Sequence, residues 1–213
     1  TDGGTDPVVA VDSSGMPTVA WVQNEPRGSS LMMSRWTGVA WGPSTLLDRG
    51  PRAGFGSLVA RASGEGIALA WARWQTRWTR VAVRAALTDG SGASSGSHAL
   101  DSFTIPDIRG GGAHTPPGPA PTGVLLGGSG HPIVLWDRLV TRTPTFAGEF
   151  FSSALDAPAD RWERASPITP GPLEGGWPLA IQKGDGGKVA TWARLIDPSG
   201  GPIEVYASER RSP

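Results

Sequence analysis

The chain has 213 residues, with 31 glycines, 20 prolines and 10 tryptophans, and its 19 acidic residues balance 19 basic ones. Zero net charge gives no reason to expect nucleic acid as a partner. No apolar run reaches the roughly 18 residues that a membrane-spanning helix requires. The absence of cysteine excludes disulfide bridges and thiol chemistry. So many tryptophans argue against a disordered chain, even though glycine and proline are abundant.

A fourfold internal repeat organises the sequence, marked by tryptophans at intervals of 50, 65 and 56 residues, which are Trp21, Trp71, Trp136 and Trp192. Each of them ends the second of two apolar segments that a short turn with glycine joins, as in PVVAVDSSGMPTVAW. Such intervals fit a unit of four strands with its turns. Residues 1–6, which precede the first unit, read as a short flexible lead-in.

The predicted strands follow in chain order. After the marker tryptophan, the first unit continues with SLMMSRW and AWGPSTLL, and the second with TRVAVRAAL and HALDSFTI. The third continues with GEFFSSAL and RWERASPI, and the fourth with PIEVYASE alone. These segments are rich in β-branched and aromatic residues and lack a period of 3.6 residues. We predict an all-β protein, one β-propeller-like domain over residues 1–213 of about four repeats of four-stranded antiparallel blades, the last blade incomplete. The repeats span about 7–52, 57–108, 122–170 and 177–213.

Three turns share the pattern Asp-x-Ser-Gly and begin at Asp12, Asp89 and Asp197. The pattern predicts that the aspartate caps the turn and that the glycine takes the left-handed conformation. One carboxylate per loop is too few for a calcium site, which needs about 6 to 8 oxygens. A separate irregular stretch, residues 88–123, is rich in glycine, serine and proline. It predicts a surface insertion, which is either part of a binding face or a solvated spacer.

The turn, the strand ending in tryptophan and the motif W-x-G-x-x-W from Trp36 to Trp41 together resemble the repeats of bacterial extracellular β-propellers. Sialidase-like and lectin-like propellers are the families that this pattern is most similar to, although the strict Asp-box, Ser/Thr-x-Asp-x-Gly-x-x-Trp, does not occur. The resemblance implies an extracellular or cell-surface location. It leaves three arrangements open: a four-bladed ring, part of a larger propeller, or repeats completed by a partner chain.

Catalytic motifs are missing from the sequence. The three histidines do not form a zinc-binding pattern, and no G-x-S-x-G motif is present. Asp137 and Glu149 on successive strands are the one carboxylate pair to consider for glycoside cleavage, but such residues are commonly solvated or paired with arginine. The resemblance to sialidases would call for a tyrosine nucleophile, and the only tyrosine is Tyr206. We therefore predict that the protein is not an enzyme and uses no cofactor and no metal.

Arginines recur after the marker tryptophans. Two residues on stand Gln23, Arg73, Arg138 and Arg194, and six residues on stand Arg27, Arg77 and Arg142. If the units are blades, the resemblance implies that these strand ends share one face, where guanidinium groups would bind an anionic group or an acidic sugar. The alternative is structural, with each arginine paired to a carboxylate between blades or covering apolar surface with its stem.

The tryptophans divide into two classes. The four marker tryptophans are predicted to lie in the blade cores because they recur in register. Trp74, Trp78 and Trp177 do not recur, and Trp74 and Trp78 flank Arg77. Exposed tryptophan beside arginine is typical of surfaces that stack on sugars or anchor a protein. The predicted binding residues are therefore Trp74, Arg77, Trp78, Arg73, Arg138, Arg194 and Trp177.

These observations predict a non-catalytic exported binding module that recognises a glycan or a protein partner. Two other classes of function remain open: a structural or assembly component that packs against other chains, and a fragment of a propeller glycoside hydrolase. An incomplete last blade would also leave an unpaired strand edge, through which the chain could associate with itself.

Overall fold

The structure is a computed structural model that describes residues 4–51, 53–64, 66–75, 80–104, 121–127, 129–141, 147–156, 161–168, 173–174, 177–182, 188–195 and 203–210. These residues form β-strands and turns without a helix, so the predicted all-β class is confirmed. No helix that is long and apolar enough to cross a membrane is found in the described ranges.

Two four-stranded antiparallel sheets come first, each with its strands in sequence order. The first sheet contains β1 (Gly4–Val11), β2 (Pro17–Glu25), β3 (Gly28–Arg35) and β4 (Thr45–Pro51). The second contains β5 (Gly54–Ser63), β6 (Gly66–Trp74), β7 (Arg80–Leu87) and β8 (His98–Thr104). Strand β1 begins at Gly4, so the predicted flexible lead-in is wrong for residues 4–6: Gly4 and Thr5 pair with β2, and Asp6 lies in a bulge of β1.

Two further antiparallel sheets follow. The third sheet contains β9 (Pro121–Leu126), β10 (Pro132–Thr141) and β11 (Ala147–Asp156), and its short strands β12 (Arg161–Trp162), β13 (Ser166–Pro167) and β14 (Leu173–Glu174) all pair with β11. The fourth sheet contains β15 (Trp177–Gln182), β16 (Lys188–Leu195) and β17 (Ile203–Arg210). Four sheets, of which the last has three strands in the described part of the chain, match the predicted repeat architecture.

Two predicted outer strands were wrong in detail. The segment AWGPSTLL does not form a strand from its beginning, since β4 starts only at Thr45. Trp41 lies instead in a tight turn and forms an isolated bridge with Trp36. The segment RWERASPI is divided between β12 and β13. The interruption lies at Glu163, Arg164 and Ala165, which belong to neither strand.

The marker tryptophans occupy one position in the register of each sheet, on its second strand. Their partners on the third strand are Met32, Arg84, Phe151 and Tyr206 for Trp21, Trp71, Trp136 and Trp192 respectively. Trp71 and Trp136 are fully buried, as predicted. Trp21 is only half-buried, and its indole N–H donates to Oε1 of Gln23 at 3.2 Å. The prediction of a core position was therefore wrong for Trp21.

The chain divides into two compact units, Thr1–Pro121 and Thr122–Pro213. Unit 1 holds the first two sheets, which share one apolar core built from both, with members such as Leu31, Leu47, Ile67 and Trp71. In unit 2, Trp136 stacks on Phe151 with 6.1 Å between ring centroids. The single domain over residues 1–213 and its repeat bounds stay a prediction.

Candidate functional site

The two ends of the sheets in unit 1 differ in chemistry. The end that we call the Asp12 end carries the turns β1–β2 and β7–β8. At both turns the aspartate caps as predicted: Oδ1 of Asp12 accepts from Ser14 N at 2.9 Å and Oδ1 of Asp89 from Ser91 N at 2.9 Å. The glycines that follow, Gly15 and Gly92, have positive φ angles of 78° and 85°. Asp197 lies outside the described residues.

The opposite end, which we call the Trp74 end, is where β2, β4 and β6 finish and β1, β3 and β5 begin. Trp74 ends β6 and is half-buried. Its indole lies over the backbone of β5, because a Cβ added to Gly56 would be 2.7 Å from its Cη2 atom. The same added Cβ would be 3.6 Å from Oδ2 of Asp6. An indole and a carboxylate therefore lie above one glycine, and Asp6 is exposed.

Asp6 is held at this end by a bulge. Strand β1 shifts its register between Thr5 and Val8, and strand β5 shifts between Gly56 and Val59. Each bulge places a residue other than glycine at a φ of 51°: Asp6 in β1 and Ser57 in β5. Such backbone costs about 1–3 kcal/mol and is concentrated at functional sites.

Asp6 is not among the predicted binding residues, because its segment reads as a lead-in. One feature of the sequence could have identified Asp6. When TDPVV (residues 5–9) is aligned with GSLVA (residues 56–60), Asp6 takes the position that Ser57 holds in the next repeat. Neither segment by itself predicts a bulge, since aspartate and serine are ordinary residues in turns.

Arg73 is paired with a carboxylate of the neighbouring sheet, which is the structural alternative to a binding role. Its Nη1 atom lies 3.5 Å from Oδ1 of Asp48, a buried carboxylate on β4 of the neighbouring sheet. Asp48 also accepts from Trp71 Nε1 at 3.2 Å and pairs with Arg84 Nε at 3.1 Å. This carboxylate therefore ties the first sheet to the second, and the binding role of Arg73 stays a prediction.

A second ion pair lies at the Trp74 end. Oε1 of Glu25, at the end of β2, accepts from Ser30 Oγ at 2.5 Å and from Arg49 Nη2 at 2.8 Å. These hydrogen bonds, first that of Ser30 and then that of Arg49, hold the pKa of Glu25 below its ordinary value. Glu25 therefore remains ionised at neutral pH and is suited to accept hydrogen bonds.

The carboxylate pair considered for catalysis in unit 2 is not assembled. In the register of β10 and β11, Asp137 is paired with Phe150, and Arg138 is paired with Glu149. Because successive residues of a strand point to opposite faces of the sheet, Asp137 and Glu149 lie on opposite faces. The guanidinium of Arg138 stacks on the Phe151 ring, 5.5 Å from its centroid.

The remaining predicted residues are placed as follows. Arg27 is exposed in the turn between β2 and β3, Trp177 begins β15, and Arg194 stands opposite Glu204 in the register of β16 and β17. Arg77, Trp78 and Arg142 lie outside the described residues. Across the described ranges, no three histidines, aspartates or glutamates are close enough to hold a metal ion.

No protein-family model matches the sequence, and no curated protein matches it either. Solved structures of low sequence identity match its fold. A sialidase of Trypanosoma rangeli with the inhibitor DANA matches with a TM-score of 0.58 and 10% identity, over 98% of this chain and 36% of the enzyme. An α-L-arabinanase of Penicillium chrysogenum with arabinobiose matches with a TM-score of 0.64 and 11% identity, over 99% of this chain and 63% of the enzyme.

A third match is an α-L-arabinofuranosidase of Fusarium graminearum with an iminosugar inhibitor, with a TM-score of 0.56 and 11% identity, over 97% of this chain and 62% of that enzyme. The fold is that of a sialidase-like β-propeller. The propeller-like fold class predicted from the repeat is thereby confirmed. The chain spans less than two thirds of each of these three enzymes.

The prediction that this propeller is not an enzyme is corrected by the same finding. The three similar propellers are, by their names, glycosidases, so the fold is one that carries catalysis. The prediction relied on the absence of short catalytic motifs. A site assembled from residues that are distant along the chain forms no short motif, so the absence of motifs does not decide whether a fold carries catalysis.

Proposed function

We propose that the chain belongs to a carbohydrate-active β-propeller and that the Trp74 end of unit 1 contacts the saccharide. The observation that carries this proposal is the indole of Trp74 and the carboxylate of Asp6 above the same glycine. An indole packs against the apolar C–H face of a sugar, and a carboxylate accepts hydrogen bonds from sugar hydroxyls.

The geometry of β5 supports this assignment. Gly54 and Gly56 leave room for the indole, since an added Cβ at either would lie within 3.5 Å of the ring. Asp6 lies in the bulge near the beginning of the edge strand β1, where its side chain is exposed. A strained backbone that presents an exposed carboxylate beside an aromatic ring is the kind of preorganisation that binding sites require.

The similar structures support a carbohydrate as the substrate class. The arabinanase is bound to arabinobiose, and a further structure of the Trypanosoma rangeli sialidase is bound to sialic acid. Because the similar structures are of glycosidases, glycoside cleavage is part of the proposal, with Asp6 as one of the two carboxylates that this reaction requires. A protein partner or self-association through the last sheet is the alternative.

The test is to measure binding and hydrolysis with arabino-oligosaccharides and sialyllactose as probes. Replacing Trp74 by alanine should weaken saccharide binding by about tenfold or more, because an aromatic platform contributes about 1–2 kcal/mol. Asp6→Asn removes the charge but keeps the shape, so a loss of binding or of hydrolysis in that variant would separate a role in the site from a role in folding.

Trp162→Ala, which changes a half-buried tryptophan of unit 2, is the matched control and should bind as the unchanged protein does. Binding and hydrolysis that stay the same in both Trp74→Ala and Asp6→Asn would contradict the proposal. An extracellular or cell-surface location belongs to the proposal as well, and fractionation of the producing cells would test it.

A further inference from the structure

A second concave surface lies at the Asp12 end of unit 1. It is a cleft of about 440 Å³, within the range of pockets that hold small molecules. Both sheets line it, with Ser14, Arg35, Trp36, Thr37 and Thr45 from the first sheet and its turns and Ser91 from the second. We call it the Trp36 cleft.

The walls of the Trp36 cleft are fixed by the capped turns. Asp12 accepts from Met16 N at 3.0 Å, and its side chain forms an ion pair with Arg35. The tight turn after β3 is closed by bonds from Thr37 N to Ala40 O at 2.8 Å and from Gly42 N to Arg35 O at 2.8 Å. A ligand would meet a surface that already has its bound shape, which reduces the entropic cost of binding.

An aromatic pair forms one side of the cleft. Trp36 lines it, and Trp41 packs edge to face against Trp36 with 5.7 Å between centroids and 72° between ring planes. Trp41 is 49% exposed. The motif W-x-G-x-x-W thus places a supported indole at the rim of a pocket, where it can contact an apolar sugar face.

The charge of the cleft is compensated within the protein. Arg35 is the one charged residue among the described residues that line the cleft, and the carboxylate that it pairs with, Asp12, is fully buried. The guanidinium charge is therefore already balanced. An anionic ligand would gain little from this site and would lose its hydration.

Three hydroxyl groups of the cleft, those of Ser14, Thr37 and Ser91, donate their hydrogens within the protein. Ser14 donates its hydroxyl hydrogen to Asp12 Oδ1 at 2.6 Å, and Ser91 donates to Asp89 Oδ1 at 2.6 Å. Thr37 donates to Ala40 O at 2.9 Å. Each of these oxygens also accepts one hydrogen bond within the protein: Ser14 from Arg35 Nη2 at 3.5 Å, Ser91 from Ala93 N at 3.3 Å and Thr37 from Ala40 N at 3.3 Å. Since a hydroxyl has one hydrogen and two lone pairs, the one lone pair left on each oxygen can only accept. They fit a ligand that donates hydrogen bonds, such as a polyol, and not a carboxylate or a phosphate.

We propose that the Trp36 cleft is a second saccharide-binding site, which holds a neutral sugar against the indole of Trp36 while the sugar hydroxyls donate to Ser14, Thr37 and Ser91. It lies at the opposite end of the sheets from Trp74 and does not depend on the function proposed for that end. Such a site would keep a long saccharide attached to the protein.

The test is a titration of the isotope-labelled protein with neutral hexasaccharides of arabinose, xylose, glucose and mannose, followed through the indole N–H signals of its tryptophans. We expect at least one hexasaccharide to shift the Trp36 signal. Thr45→Arg places a long charged side chain at the mouth of the cleft and should weaken this binding by about tenfold or more. Ser44→Arg is the matched control, because the exposed neighbour Ser44 does not line the cleft.

Two comparisons make the result decisive. In Trp74→Ala, the dissociation constant obtained from the Trp36 signal should stay within about twofold of that of the unchanged protein. This result would separate the Trp36 cleft from the Trp74 end. Sialyllactose, an anionic probe, should bind the cleft no more tightly than the neutral sugars do. The proposal is overturned if no neutral hexasaccharide shifts the Trp36 signal at about 10 mM, if Thr45→Arg binds like Ser44→Arg, or if sialyllactose binds best.

Discussion

Asp12 shows how much one side chain can organise in this protein. Its buried carboxylate caps the β1–β2 turn through Ser14 and Met16 and pairs with Arg35 across the sheet. Burial by itself raises the pKa of Asp12, but the hydrogen bonds from Ser14, Met16 and Arg35 together outweigh burial and hold that pKa below its ordinary value. The folded protein therefore binds the proton of Asp12 less tightly than the unfolded chain does.

This difference predicts a loss of stability in acid. The contribution of Asp12 is complete above the unfolded pKa of about 3.9 and is lost as the pH falls through the lower folded pKa. Asp12→Asn should lower the free energy of unfolding at pH 7 by about 3 kcal/mol, because it removes the buried carboxylate charge that pairs with the guanidinium of Arg35. Urea denaturation between about pH 7 and pH 3 measures both effects.

Asp89→Asn is the control for Asp12→Asn, since Asp89 caps the equivalent turn but is exposed. Its loss of stability should be clearly smaller. An Asp12→Asn protein that unfolds at the same urea concentration as the unchanged protein at pH 7 would contradict the role assigned to the buried pair.

Asp48 has a comparable role between sheets. It receives the indole N–H of Trp71 and pairs with Arg73 and Arg84, three residues of the second sheet. The sequence could predict that Trp71 lies in a core and that Arg73 pairs with a carboxylate. It could not identify Asp48, because the partner lies on a different repeat and the spacing between them is not characteristic of any motif.

At the scale of the strands and turns, two glycines illustrate different constraints. Gly66 begins β6, and a Cβ added there would overlap the carbonyl oxygen of Thr88 in the turn after β7. Gly96 has a positive φ of 86° but open space around it. The first glycine is required by the close approach of two backbones, and the second only by its own conformation.

Substituting each by alanine should therefore have different effects. Gly66→Ala should destabilise the protein by about 3 kcal/mol or more, since neither backbone can move away without breaking the β6–β7 ladder. Gly96→Ala should cost about 1 kcal/mol, the ordinary cost of a left-handed alanine. Thermal denaturation of both variants measures the difference, and equal melting temperatures would show that the β6–β7 connection adjusts freely.

The strands themselves were largely predictable. Apolar segments joined by short turns with glycine correctly located β2, β5, β6, β10 and β11 and most of β1, because strand composition and turn chemistry are local properties. The outer strands were harder. Pro43 precedes β4 in a segment whose composition favours a strand, residues 163–165 separate β12 from β13, and where pairing resumes depends on the neighbouring strand.

At the scale of the whole chain, the division into two units raises the question of independent folding. Unit 1 has two complete four-stranded sheets and a core built from both. The Asp48 network and a bond from Ser13 N to Gly64 O at 3.2 Å join these sheets. Unit 1 therefore contains internal contacts of the kind that an independently folding domain needs.

A fragment of residues 1–121 should accordingly fold alone and unfold cooperatively. Its amide spectrum should be well dispersed, and urea should unfold it in one transition with a slope near that expected for about 120 residues. The matching fragment 122–213 is the comparison. A disordered 1–121 fragment would instead favour the single domain over residues 1–213 that the repeat pattern predicts.

The sequence by itself determined the β class, the four repeats and the capped turns at Asp12 and Asp89, because each follows from local periodicity and turn chemistry. Only the tertiary structure decided what the repeats bring together. It placed Asp6 and Trp74 above the same residue, Gly56, paired Arg73 with Asp48 and formed the Trp36 cleft between two sheets. These contacts link residues that are distant along the chain, and their distances are set by sheet packing, which no short stretch of sequence encodes.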